Sequence, residues 1–132
     1  MEPGEQEILG DDEFVFLAVM LFNESPDAIV VVDEAGTIRH INNQAELLFG
    51  YHRSELKGLS VEVLVPDAVR SQHEAYRTKY ADEPRRRAMG SGMELKAKRK
   101  SGLEIPVEIN LSPVSTPKGM RVIATIRKKR AS

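Results

Sequence analysis

The side chain best placed for chemistry in this sequence is His73. It stands with Val69, Tyr76 and Tyr80 at spacings of four, three and four residues, which is one face of a helix. An imidazole on an otherwise apolar helix face has two uses. It packs into a core with its polar nitrogens hydrogen-bonded, or it meets a bound molecule, where it and the Tyr76 hydroxyl can hold a polar head.

Other reactive arrangements are missing from the pattern. Glu74 with Asp82, and Asp33 with Glu34, are carboxylate pairs that helix and turn positions already account for. No serine sits in a nucleophile-elbow context, and Gly90-Ser91-Gly92 lacks the further glycine and the helix of a phosphate loop. The chain has no cysteine, which removes disulfides, thiolate metal sites and thiol nucleophiles together. The expectation is a protein that is not an enzyme and holds no metal, unless His73 takes one. A cysteine-free chain suits a reducing cytoplasm.

With 19 basic and 20 acidic side chains no global field selects a partner. The basic runs at Arg85 to Arg87 and Arg127 to Arg130 have no interleaved aromatics, so nucleic acid is not expected. The longest apolar run, Phe14 to Phe22, is far below the roughly 20 residues of a membrane span. It follows an acidic start (Glu2, Glu5, Glu7, Asp11, Asp12, Glu13) rather than the basic one of a signal peptide, so a cytoplasmic chain that does not span the membrane is predicted.

The elements that must position these groups follow from periodicity. Asp12 can cap a helix to about Phe22 that Ser25-Pro26-Asp27 stops. Phe14, Leu17, Ala18 and Leu21 form one face of it, but Val15, Phe16, Val19 and Met20 make the other faces apolar too. Such a helix must be covered on more than one side, and the reading preferred over packing on its own sheet alone is a homodimer interface.

Ala28 to Val32 is a β-branched run read as a buried strand, turning at Asp33 to Gly36 into Thr37 to Ile41. Asn42 caps a short helix from Asn43 to Phe49 that ends at Gly50; Ser54 to Gly58 is a further helical turn, and Val61 to Val65 a short apolar segment. Pro66-Asp67 opens the longest internal helix, to about Tyr80, and Ala81 to Gly92 reads as a polar loop. Three alternating strands close the chain: Met93, Leu95 and Ala97; then Ile105, Val107, Ile109 and Leu111; then Met120, Val122, Ala124 and Ile126. The expectation is an α+β fold, a five-stranded antiparallel sheet with short helices on one face and an N-terminal cap helix. Besides His73, the inward set is Val31, Leu48, Leu64, Val69, Tyr76, Met93, Leu95, Ile109, Leu111, Ala124 and Ile126. These aliphatic walls either fill an ordinary core or accept an apolar guest such as a fatty acid.

The residues also resemble a known family. Ser25-Pro26-Asp27-Ala28-Ile29, Asp33 to Ile38, Ile41-Asn42, Glu46 to Tyr51 and Ser54 to Gly58 are similar to the first half of PAS sensor domains. Lys98-Arg99-Lys100-Ser101-Gly102 followed by Ile105-Pro106-Val107-Glu108 is similar to the hairpin of the second half. Six motifs in the right order cover about residues 23 to 127. The resemblance implies a pocketed, generally dimeric sensor joined to an output domain such as a kinase, a phosphatase or another regulator. The organisation it suggests is an acidic segment and dimerisation helix over 1–22, a sensor domain over 23–128 and a tail over 129–132. The usual exit signature after the last strand is replaced by Ile126-Arg127-Lys128-Lys129-Arg130.

Arg70-Ser71-Gln72-His73-Glu74-Ala75-Tyr76 further resembles the helix of oxygen-sensing haem PAS kinases, in which the residue at the His73 position is the axial iron ligand. Met93 stands where those sensors carry an arginine. That departure makes haem the lesser alternative to a lipid guest, and a ligand-free dimerisation module is the other. A cysteine-linked flavin is excluded by composition.

Overall fold

The computed structural model describes residues 11–82, 87–89 and 95–129. Helix α1, Asp12–Asn23, starts where the Asp11 carboxylate accepts the Phe14 amide, and Asp12 and Glu13 in its first turn complement the positive helix end. Strand β1, Ala28–Asp33, and strand β2, Ile38–Ile41, form the expected hairpin. Asp33 shapes its turn: one carboxylate oxygen accepts from Ala35 N and Thr37 N, the other from Arg39 Nε.

Helix α2, Asn43–Phe49, is capped by Asn42 and closed by Gly50 at φ 79°, a left-handed conformation that glycine adopts without Cβ strain. Helix α3, Arg53–Leu56, begins one residue before the predicted turn, because His52 and Glu55 build a capping box. Two 3-10 turns, Val61–Leu64 and Asp67–Val69, lead into α4, Arg70–Asp82. The predicted single helix from Pro66 is thus a short 3-10 turn followed by an α-helix.

Strand β3, Arg87–Met89, occupies what reads in sequence as a loop. It pairs with Ile109 to Leu111 of β5, Glu104–Thr116, while β4, Lys96–Lys98, pairs with the start of β5. Lys129 N reaches Pro106 O from the side of β6, Gly119–Lys128, so β3 and β4 share the opposite edge of β5. The antiparallel sheet therefore has five positions, β2-β1-β6-β5 and an edge in two pieces, with the short helices on one face. The fold expectation holds.

The core packs α2 and α3 on that face. Ala28, Val30, Val32, Ile38 and Ile41 meet Ala45, Phe49, Leu56 and Leu64, with Ala97, Ile105, Val107 and Ile126 completing it. Each large side chain so buried contributes roughly 1.5 to 3 kcal/mol. No residue of α1 is buried, so on this protomer its apolar faces lie open.

Candidate functional site

Strand register decides which side chains share a face. Val30 stands opposite Ala124, Val32 opposite Val122 and Ala28 opposite Ile126, all on the helix-covered inner side. Ile109 faces Ile126 and Leu111 faces Ala124 across β5 and β6, which continues that inner surface. Its two halves differ: the β1 and β2 side is sealed by α2 and α3, whereas Ile109, Leu111, Val122 and Ala124 remain half-buried. Among the described elements α4 packs chiefly on the two 3-10 turns.

Of the inward residues predicted from sequence, Leu64 and Ile126 are buried, and Leu48, Leu95, Ile109 and Ala124 are half-buried against the core. Leu111 is half-buried beside Ala124. Val31 is a correction: it pairs with Ile123 and His40 and faces the outer side of the sheet. Five consecutive apolar residues give a strand no alternation, so its inward parity is not readable. Val69 is a second correction; it is 41% exposed, because it ends a 3-10 turn at the surface. The side chain of Tyr76, Met93, the Arg85 and Arg86 run, and most of the tail and acidic start lie outside the described residues.

His73 is half-buried, and its Nδ1 donates to Glu62 Oε2 at 2.7 Å. The carboxylate oxygen is the acceptor, so this hydrogen bond places a proton on Nδ1. Arg77 Nε donates to the other oxygen of Glu62 at 3.1 Å, and Arg77 Nη1 to Ala35 O at 2.9 Å. Glu62 thus couples two positions of α4 to the first 3-10 turn and, through Arg77, to the β1–β2 turn. Nothing in sequence spacing joins Glu62 to His73, since the intervening turn is irregular.

Asn42 is the other residue whose role exceeds its sequence signal. It is 0% exposed; Oδ1 accepts from Ile29 N and Ala45 N, and Nδ2 donates to Phe22 O and Asp27 O. Every hydrogen-bonding capacity of the amide is thereby used, and the C-terminal end of α1 is tied to β1 and α2. Arg53 Nη1 adds a bond to Asn23 Oδ1, and its ion pair with Glu46 holds that carboxyl below the usual range.

Two hollows lie elsewhere. One, about 350 Å³, is formed by Phe49, Gly50, Arg99, Lys100 and Ser101. The other, about 360 Å³, lies on the outer sheet face over Val31, His40, Val114, Ile123 and the Thr116 to Lys118 turn, with Arg121 beside it. No group of three or more metal-ligating side chains occurs among the described residues, and no helix there is long and apolar enough to cross a membrane.

Comparison with known proteins agrees with the architecture. Residues 17–128 match the model of the PAS fold. Over 91 residues, 69% of this chain, the sequence is 31% identical to the sensor protein FixL of Bradyrhizobium diazoefficiens. Over 98 residues, 74% of the chain, it is 30% identical to the oxygen sensor protein DosP of Escherichia coli. The chain spans only 18% and 12% of the length of these two relatives. The PAS domain of an HTR-like protein from Haloarcula marismortui superposes with a TM-score of 0.73 at 25% identity, covering 90% of this chain and all of that one.

Proposed function

This chain belongs to the PAS family, a family of sensory domains, and on that premise we propose that it is a non-catalytic input module. In this reading it binds a small apolar guest, dimerises, and regulates a linked output domain such as a kinase or phosphatase in the cytoplasm. The observation that carries the reading is the divided inner face of the sheet, sealed over β1 and β2 and half-buried at Ile109, Leu111, Val122 and Ala124. Apolar walls gain about 25 cal/mol per Å² of guest surface removed from water, so an acyl chain laid between α4 and β5–β6 suits them, its head near His73 or Tyr76. Leu48, Leu64, Leu95 and Ile126 border the same face, and Met93 joins the proposed lining from sequence. The homodimer is supported by α1, whose Phe14, Leu17 and Leu21 are exposed and whose Ala18 lies among them. A guest that prefers one position of α4 over another shifts the balance between them, and α4 leans on the β1–β2 turn through Arg77.

Thermal unfolding with a chain-length series of fatty acids tests this, beside native mass spectrometry of the purified domain. A length-dependent rise in Tm that Ala124→Phe abolishes is expected. No stabilisation by any chain length, with no extractable guest, overturns it in favour of a ligand-free dimerisation module.

A second reading, haem through His73, has its own support. A metal-binding histidine usually has its other nitrogen held by a carboxylate or carbonyl, and Glu62 holds Nδ1 in that way, leaving Nε2 for iron. Both relatives are named as sensors, one of them for oxygen. A haem would supply a gas-binding iron; this chain's part would be ligation by His73 and orientation of the ring by Glu62. Titration with hemin separates the readings, since a sharp Soret band lost in His73→Ala selects haem.

A further inference from the structure

We propose that the hollow between the end of α2 and the β4–β5 turn is a binding site for a small organic oxyanion, a carboxylate or phosphate carried on an apolar body. It is separate from the guest site on the inner sheet face and does not rest on that reading. The hollow, about 350 Å³, is formed by Phe49 and Gly50 on one side and Arg99, Lys100 and Ser101 on the other, a size within the range of small-molecule pockets. Arg99 is the group that calls for an occupant. Its Nε is buried without a hydrogen-bond partner, and no ion pair among the described residues includes it. A buried donor left unmade costs free energy, and more on a charged group. The side-chain hydrogen bond that Arg99 does make, from Nη2 to Leu47 O, is long at 3.5 Å, so a small rotation of the guanidinium opens its edge to the hollow it already lines. Nε and Nη2 share that edge, and their parallel donors match two oxygens of a carboxylate or phosphate.

The surroundings suit such a ligand. A Cβ on Gly50 would stand 3.6 Å from Arg99 Nη2 and 3.9 Å from Lys100 Cβ, so glycine leaves open the space between the two basic residues. Lys100 Nζ pairs with Glu55 at the surface, beside the Tyr51 ring. Exposed pairs of that kind are weak, so Lys100 can turn to an anion instead. Ser101 Oγ accepts from Leu103 N, which leaves its hydroxyl proton to donate. The negative end of α2 is muted, because Glu46 O accepts from Gly50 N, Leu47 O from Arg99 and Phe49 O from Lys100 N. The apolar body has its own surface: Phe49 lines the hollow, and the exposed Leu47 and Leu103 are both bonded to Arg99 through their carbonyls.

Proton–nitrogen correlation NMR of the 132-residue chain, titrated with phenyl phosphate, benzoate and inorganic phosphate, is the test. At least one organic probe should bind saturably, shift the Gly50, Lys100 and Ser101 amides and draw the Arg99 Nε proton downfield, and the two together tell which headgroup the site takes. Inorganic phosphate should bind about tenfold more weakly, for want of apolar surface. Arg99→Gln should weaken binding by about tenfold or more, and Arg99→Lys nearly as much, since lysine keeps the charge without the fork. Because Arg99 also touches α2, Lys100→Gln at the exposed pair is the second variant; with Tm kept, it should weaken binding about threefold. Ala124→Phe, in the proposed guest site, should leave the titration unchanged, which separates failure of this site from failure of that one. No saturable binding of any probe, binding that the Arg99 and Lys100 variants leave unchanged, or shifts confined to Ile109, Leu111 and Ala124 would overturn the proposal. Inorganic phosphate held as tightly as the organic probes would overturn the apolar body.

Discussion

The two halves of the inner sheet face have the same strand geometry and nearly the same side-chain chemistry, yet they are finished differently. Over β1 and β2, Phe49, Ile38 and Leu56 are fully buried, and the one polar residue among them, Asn42, satisfies four backbone groups. Over β5 and β6, comparable aliphatic residues stay half-buried, and α4 is attached to the 3-10 turns through the polar cluster of Glu62, His73 and Arg77. Close packing makes the first half intolerant of change and gives the protein its stability. The second half is less completely buried, which is the property that the proposed guest site requires.

Substitutions in each half sharpen this contrast. Phe49→Ala should have the largest effect, a loss of about 4 kcal/mol in urea denaturation, because the ring is 1% exposed and its removal leaves a cavity in the core. Asn42→Ala should follow at about 3 kcal/mol, since it strands two amides and two carbonyls, and hydrogen exchange should show α1 released from the domain. Leu111→Ala, in the other half, should lose only about 1 kcal/mol, because that side chain is half-buried rather than enclosed in the core. A loss as large as that of Phe49→Ala would show the β5–β6 half to be sealed as well, and would remove the contrast.

The smallest effect is a pH slope at the β1–β2 turn, on which α4 leans. Burial raises the Asp33 carboxyl, but hydrogen bonds from Thr37 N, Arg39 and Ala35 N outweigh it, and the net displacement is downward. A lowered folded-state value stabilises above the unfolded value of about 4, and that stability is lost as pH falls through the folded value. Asp33→Asn should therefore reduce the difference in Tm between pH 6 and pH 3 relative to the parent chain. An unchanged difference would mean that the turn contributes no such linkage.

Much of the fold was legible residue by residue. Asn42 and Gly50 bracket α2 as cap rules require, and the alternation in Ile105 to Leu111 and Met120 to Ile126 marks both long strands. Strand β3 was not legible, because Arg87–Met89 is held by pairing to β5 and shows no pattern of its own. The site was legible only in part. His73 stands out by its spacing, but Glu62, its partner, lies in a 3-10 turn eleven positions earlier, where no helical period connects them.

Local periods and caps, which each segment carries alone, account for the long strands, the capped helices, the α+β layering and the apolar character of α1, though not for β3 or the 3-10 start before α4. Tertiary structure alone decided which side of β1 is interior. Ala28 to Val32 is apolar at every position, so either parity would bury a full set of side chains; pairing with β6 turns Ala28, Val30 and Val32 inward and leaves Ile29 and Val31 outside. It also decided that Asn42, which in sequence is a helix cap, joins α1, β1 and α2, since an amide has two donors and two acceptor sites but only the assembled chain brings four backbone partners to it.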